Sequence, residues 1–234
     1  MWPFRVSLVM ALAAGLGTHA TEHPVHRSHQ MPMGGSDQRP AKVEYRCYAG
    51  DLQNYPSPAE WLSWDMLWDL NREQILSSNR GDTYLQHYVQ ESILQVARDA
   101  DVDPRFILAV VMQESKGFAD TECVGTTPRC GIMHAPKGSR FDQSDARFSV
   151  ERMIRDGVQG TAKRGPGLAD LLKGRPRLAN VPSGNWYALA RAYNSGAVGK
   201  YLDVVSRGQP GYVNDIANRL QGWNGLWTGH KTCG

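Results

Sequence analysis

DPRFILAVVMQESKGF, residues 103–118, reads as one helix with an awkward end. Asp103-Pro104 is a start signal. The Asp side chain can take a free amide hydrogen, and Pro at the first helical position gives up an N–H that would lack a partner anyway. From there Ile107, Val110, Val111 and Glu114 fall at i, i+3, i+4 and i+7, the spacing of one helical face. An apolar stripe that ends in a carboxylate is a contradiction, because desolvating a carboxylate is costly. Glu114 therefore has either a partner or a task.

The rest of the chain narrows the choice. Its 234 residues allow one good-sized domain, and 41% hydrophobic residues with seven Trp supply a core. A net charge of +3, spread along the chain, suits an anionic surface or plain solubility and gives no argument for nucleic acid. Residues 1–20, MWPFRVSLVMALAAGLGTHA, have the form of a secretory signal. Arg5 begins it, Val6–Leu16 is apolar, and Thr18-His19-Ala20 is a small-residue cleavage site. The apolar run is too short to span a membrane, so the expectation is an exported, extracellular protein.

Export gives the four cysteines a meaning. Cys47, Cys123, Cys130 and Cys233 allow three pairings. The economical one joins Cys123 to Cys130 just after Glu114 and Cys47 to Cys233 across the domain. Even the short closure is worth about 2–3 kcal/mol in the loop-entropy picture. The rival, a zinc site, would want paired C-x2-C spacing, which this chain lacks. Residues 21–46 are polar, rich in Pro, Gly and His and without periodicity, and read as a flexible leader. His23, His26 and His29 recur every third residue there, and a sparse histidine tail is the plainer reading than a metal catch. The folded part is then 47–234.

Helical patterns fill that part. SPAEWLSWDMLWDL from Ser57 has a cap, an early Pro and a core stripe of Trp61, Trp64 and Trp68. TYLQHYVQESILQVARDA places Leu85, Val89, Ile93 and Val96 on one face. Residues 117–147 lose periodicity around the two central cysteines and read as a stapled loop region. Helix returns at SVERMIRDGVQGTA, with Ser149 and Arg152 in its first turn, and a short helix lies in RGPGLADLLKGRPRLANVPSG. Trp186, Leu189, Ala190 and Tyr193 then share a face, as do Val213, Ile216, Ala217 and Leu220. No segment alternates apolar and polar residues for long. The fold class is mainly α.

Taken in order, MQESKG, GIMH at 131–134, MIRDG, ARAYNSG at 191–197 and YVNDIANRLQGW at 212–223 resemble the lysozyme-like domain of glycoside hydrolase family 23. That family includes goose-type lysozymes and soluble lytic transglycosylases, and the likeness is nearest to secreted fungal members. It runs from about Tyr84 to Trp223. It implies a lysozyme-like transglycosylase fold and a muramidase that cleaves β-1,4 bonds between N-acetylmuramic acid and N-acetylglucosamine. Glu114 matches the family's catalytic acid/base, Ser115 the serine that shapes the site, and Tyr193 the tyrosine whose hydroxyl meets the carboxylate. Asn194 matches the asparagine at the groove, Gly131, Ile132 and Met133 the turn beside the sugar, and Tyr212 the aromatic of the last motif. The residues themselves agree, since a partly desolvated carboxyl holds its proton more tightly and so suits a general acid.

Two departures stand out. His134 replaces the family's Gln, which keeps a donor for a sugar amide but adds a group that can become cationic. Lys116 follows Glu114 closely, but i and i+2 do not share a helix face, so it is expected to point to solvent. A second carboxylate, usual in glycosidases, is not obvious. Asp120 and Glu122 in the next loop are the candidates, and without them the substrate's N-acetyl group can assist, giving a 1,6-anhydro product. The expected partner is a polysaccharide, with chitin second to peptidoglycan, for a monomer with neither metal nor other cofactor. The rival of another class is a non-catalytic wall-binding protein of the same fold.

Overall fold

The Asp103-Pro104 signal works as written. In a computed structural model, which describes residues 43–161, 165–175, 184–203, 208–225 and Cys233, Asp103 accepts a hydrogen bond from the Arg105 amide at 2.9 Å. Helix α3 then runs over Pro104–Ser115. The one-sided stripe is a correction to make, because every residue from Pro104 to Met112 is buried. Helix α3 is the central rod of the fold. Even Arg105, 1% exposed, is accommodated, with its guanidinium on Asp103 at 2.7 Å and over the Trp61 ring at 5.0 Å. Helix α3 ends at Lys116, whose left-handed backbone (φ 56) turns the chain away and leaves the side chain exposed. Gly117 follows with φ 75, where a Cβ would meet Ile75 at 2.6 Å.

Around this rod the described residues are mainly helical. Helix α1 (Trp64–Ser78) begins later than the sequence pattern suggests. Ser57 and Glu60 form a capping box around a single tight turn, Pro58–Glu60, and Trp61 is extended. Ser63 is the true cap of α1, accepting from the Met66 amide. The three tryptophans are core as read, at 0%, 3% and 8% exposure. Helix α2 (Thr83–Ala100) lies along α4 (Ala146–Gln159), joined by Arg147–Glu91 and Arg155–Asp99 ion pairs. Helix α4 starts three residues before Ser149, whose hydroxyl donates to the Ala146 carbonyl. Helices α5 (Leu168–Leu172), α6 (Trp186–Ser195) and α7 (Tyr212–Leu220) complete the set.

Residues 117–147 contain an element too short for periodicity to reveal. Strands β1 (Arg129–Cys130) and β2 (Ala135–Pro136) pair antiparallel, Cys130 opposite Ala135. Cys123–Cys130 and Cys47–Cys233 are both formed, closing separations of 7 and 186 residues. Disulfides of this kind belong to an oxidising compartment. Among the described residues, no helix is long and apolar enough to cross a membrane.

The signal-like residues 1–20, the three leader histidines and the leader up to residue 42 lie outside the described residues. Residues 43–46, grouped with the leader by composition, are part of the folded unit. Asn218 Oδ1 accepts from the Arg46 amide and its Nδ2 donates to the Arg46 carbonyl, both at 2.8 Å. Asn214, one turn earlier, does the same for Tyr48. Two asparagines at i and i+4 of α7 thus hold an extended strap through alternate residues. Every residue of α7 is buried in consequence.

Candidate active site

Helix α3 leaves the core at Gln113 and delivers Glu114 to an open groove of about 340 Å³. The groove is lined by Gln113, Glu114, Val124, Arg129, His134 and Asn194, with Gln209 and Tyr212 at its α7 side. The Glu114 side chain is 12% exposed. Both its oxygens are engaged. Tyr212, first residue of α7, donates its hydroxyl to Oε1 at 2.7 Å, and His134 Nδ1 lies 3.2 Å from Oε2. The other ring nitrogen, Nε2, is 3.3 Å from the Thr121 hydroxyl. With Nδ1 protonated, the ring donates to the carboxylate and Nε2 accepts the Thr121 hydrogen.

The family likeness assigned the carboxylate contact to Tyr193, and that is corrected here. The Tyr193 hydroxyl donates to the Met133 carbonyl at 2.8 Å. Both phenols are buried and each needs an acceptor. Helix α6 brings Tyr193 up beneath the 131–134 turn, whereas the start of α7 faces the end of α3. Burial first, then the Glu114 charge, raises both hydroxyls above the usual tyrosine range. Tyr212 therefore stays a donor throughout the neutral range.

The turn at Gly131–His134 is clamped from several sides. Ser115 donates to the Ile132 carbonyl at 2.8 Å, Tyr193 holds that of Met133, and Arg129 Nε holds that of His134 at 2.9 Å. Arg129 also reaches the Tyr193 carbonyl at 3.2 Å. Ile132 and Met133 are fully buried and neither lines the groove, a correction to the expected contact with sugar: the two pack beneath the turn, and their carbonyls are taken by Ser115 and Tyr193. Gly157 of α4 makes room for Met133, since a Cβ there would meet its sulfur at 2.5 Å. His134 takes a left-handed backbone, φ 46, which aims its ring back at Glu114. Asn194 faces the groove, but its Oδ1 is occupied by the Gln209 amide at 2.9 Å and by Arg191 at 3.3 Å. It fixes the loop opposite Glu114.

Neither proposed second acid lines this groove. Glu122 is exposed on the stapled loop, and Asp120 borders a different cavity. Among the described residues the groove holds one carboxylate, Glu114. Among the described residues no three His, Cys, Asp or Glu side chains converge as a metal site would require.

Several contributors were not singled out from the sequence. Gln113 donates to Asp215 Oδ2 and accepts from Arg219 Nε, both at 2.8 Å, and so joins α3 to α7 beside Glu114. Asp215 also accepts from the strap residue Tyr45 at 2.6 Å. Burial pushes the Arg219 guanidinium down to about 10 against the opposing Asp215 charge. The Asp215–Arg219 spacing of four within a buried helix was the available hint. No protein-family model matches the chain, and no curated protein matches it either.

Proposed function

We propose that this chain is an exported muramidase of the lysozyme-like type, cleaving the β-1,4 bond between N-acetylmuramic acid and N-acetylglucosamine. One observation carries the reading: a mostly buried carboxylate at the exit of the central helix, held at both oxygens and open to a groove. The order of the ES, GIM, YNSG and Tyr-Val motifs around it supports the same assignment.

In the reaction, protonated Glu114 gives its proton to the glycosidic oxygen as the bond to C1 breaks. Among the described residues no second carboxylate lines the groove, which favours assistance by the substrate. The N-acetyl carbonyl oxygen attacks C1 and forms a bicyclic oxazolinium. Glu114, now a carboxylate, then takes a proton from the attacking hydroxyl. Attack by the sugar's own C6 hydroxyl gives the 1,6-anhydro end, and attack by water gives a reducing end. Tyr212 steadies the carboxylate in its ionised phase, since hydrogen bonds to charged groups are the stronger ones.

A second reading has its own observation. His134 sits directly on Glu114 Oε2, and a cationic ring there would hold the carboxylate ionised and make the fold a wall-binding module without turnover. Incubation with purified peptidoglycan and with chitin separates the cases. Soluble fragments from peptidoglycan alone are expected. Fragments from chitin alone would move the substrate, and binding to wall without fragments would favour the second reading.

A further inference from the structure

His134 holds two groups at once. Its Nδ1 lies 3.2 Å from Glu114 Oε2, and its Nε2 lies 3.3 Å from the Thr121 hydroxyl. A carboxylate on Nδ1 and a hydroxyl on Nε2 is the order in which an acid, an imidazole and an alcohol make an acyl-transfer nucleophile. Cleavage of the glycosidic bond by Glu114 uses neither Thr121 nor the far side of the ring. Among the described residues the Thr121 hydroxyl has no partner other than Nε2. It is not spent on a neighbouring backbone group, as loop threonines often are.

The row of three is held at each link. Tyr212 donates to Glu114 Oε1 at 2.7 Å, which leaves Oε2 to the imidazole. The His134 side chain is 14% exposed, its backbone is left-handed at φ 46, and Arg129 Nε holds its carbonyl at 2.9 Å. Thr121 and His134 sit on separate segments, and the Cys123–Cys130 bridge joins those segments close to both. Reciprocal amide bonds between Val124 and Arg129, both 3.0 Å, lock the same pair of segments. Thr121 is half-buried and His134 lines the groove, so a substrate can reach the pair from solvent.

The geometry points to a second activity: hydrolysis of carboxylic esters, acylated sugar hydroxyls among them, with Thr121 as nucleophile, His134 as base and Glu114 as the carboxylate that orients the ring. The Thr121 oxygen bonds to the ester carbonyl carbon while its proton passes to Nε2. Negative charge gathers on the carbonyl oxygen. The Glu122 amide, next after the nucleophile and without an acceptor among the described residues, is a donor available to it. The ester C–O bond then breaks, and the Nε2 proton goes to the departing alcohol. Water attacks the acyl-threonine in turn, its proton returning through Nε2 to the Thr121 oxygen as the acid leaves. Glu114 is ionised throughout, whereas glycosidic cleavage starts from its protonated form. The two activities thus draw on one carboxylate in opposite states, and the second does not depend on the muramidase reading.

Two probes on the full chain test this: p-nitrophenyl acetate for turnover, and a fluorophosphonate that bonds to an activated hydroxyl, its site read by peptide mass spectrometry. The wild type is expected to release p-nitrophenol and to carry the fluorophosphonate adduct on Thr121. Thr121→Val, close in shape, should abolish both, and Thr121→Ser should keep both. His134→Gln should slow p-nitrophenol release by about 100-fold or more, the worth of a general base. Release that survives Thr121→Val, or an adduct elsewhere than Thr121, would overturn the assignment. So would a wild type with intact helical signal that neither turns over nor takes the label. Fragment release from peptidoglycan is read separately, so failure of either activity leaves the other standing.

Discussion

Glu114 is held by two regions built in opposite ways. On the Oε1 side stands α7, buried at every position and strapped by residues 43–48. On the Oε2 side stands His134, on a left-handed residue in a loop region with only two short strands and one short disulfide. The first side gets its rigidity from burial and from polar side chains that satisfy one another. The second gets it from clamped carbonyls at the 131–134 turn. The difference predicts that the α7 side sets stability and the hold on the carboxylate, while the loop side sets what the groove admits.

Breaking the long bridge is the harshest test. Converting Cys47 and Cys233 to Ser should cost about 5 kcal/mol by loop entropy, against about 2–3 for Cys123 and Cys130. Denaturant melts of the two double variants would show it, and equal losses would contradict the asymmetry. Alkali should attack the buried phenols of α6 and α7 alike. The hydroxyls of Tyr187, Tyr193 and Tyr212 are raised by burial above the ordinary value near 10. An acid whose folded value is raised stays protonated in the fold and ionises on unfolding, so its stabilisation is complete below pH 10 and is lost above it. Three such groups remove about 4 kcal/mol per pH unit there. The tyrosinate absorbance of these three, above that of the exposed tyrosines such as Tyr84 and Tyr201, should therefore appear only with loss of helical signal. Ionisation of these three within a folded chain would refute their burial.

Activity should divide the two sides more finely. Tyr212→Phe removes the donor to Oε1 and should lower kcat about 10–100-fold, the worth of a hydrogen bond to a charged group. His134→Gln keeps a donor and should change kcat less than about threefold. The reverse ranking would place the working partner of the acid on the loop.

The two sides also differed in how far the sequence exposed them. Asp103-Pro104 located α3, and the i+7 position singled out Glu114, because capping and periodicity are local properties. The choice of tyrosine was not local. Tyr193 and Tyr212 both sit on apolar faces, and only the packing of α6 against the 131–134 turn decides which phenol meets which acceptor. Burial of α3 on all sides was hidden because Arg105 looks like a solvent-facing residue until Asp103 and Trp61 are placed around it. The strap escaped because its partners are Asn214 and Asn218, more than 160 residues away. Strands of two residues leave no period to read. Asp120 was singled out as an acid, and its place at a separate cavity followed only from the loop's hold on buried Asn79, which donates to the Gly117 carbonyl and accepts from the Ala119 amide.

The central claim is that Glu114 transfers the proton. Mass spectrometry of soluble fragments released from purified peptidoglycan, wild type beside Glu114→Gln, tests it most directly. The account predicts disaccharide-repeat fragments from the wild type, their ends identifying the anhydro or the hydrolytic route, and none above background from the variant. Equal release by both proteins would contradict it.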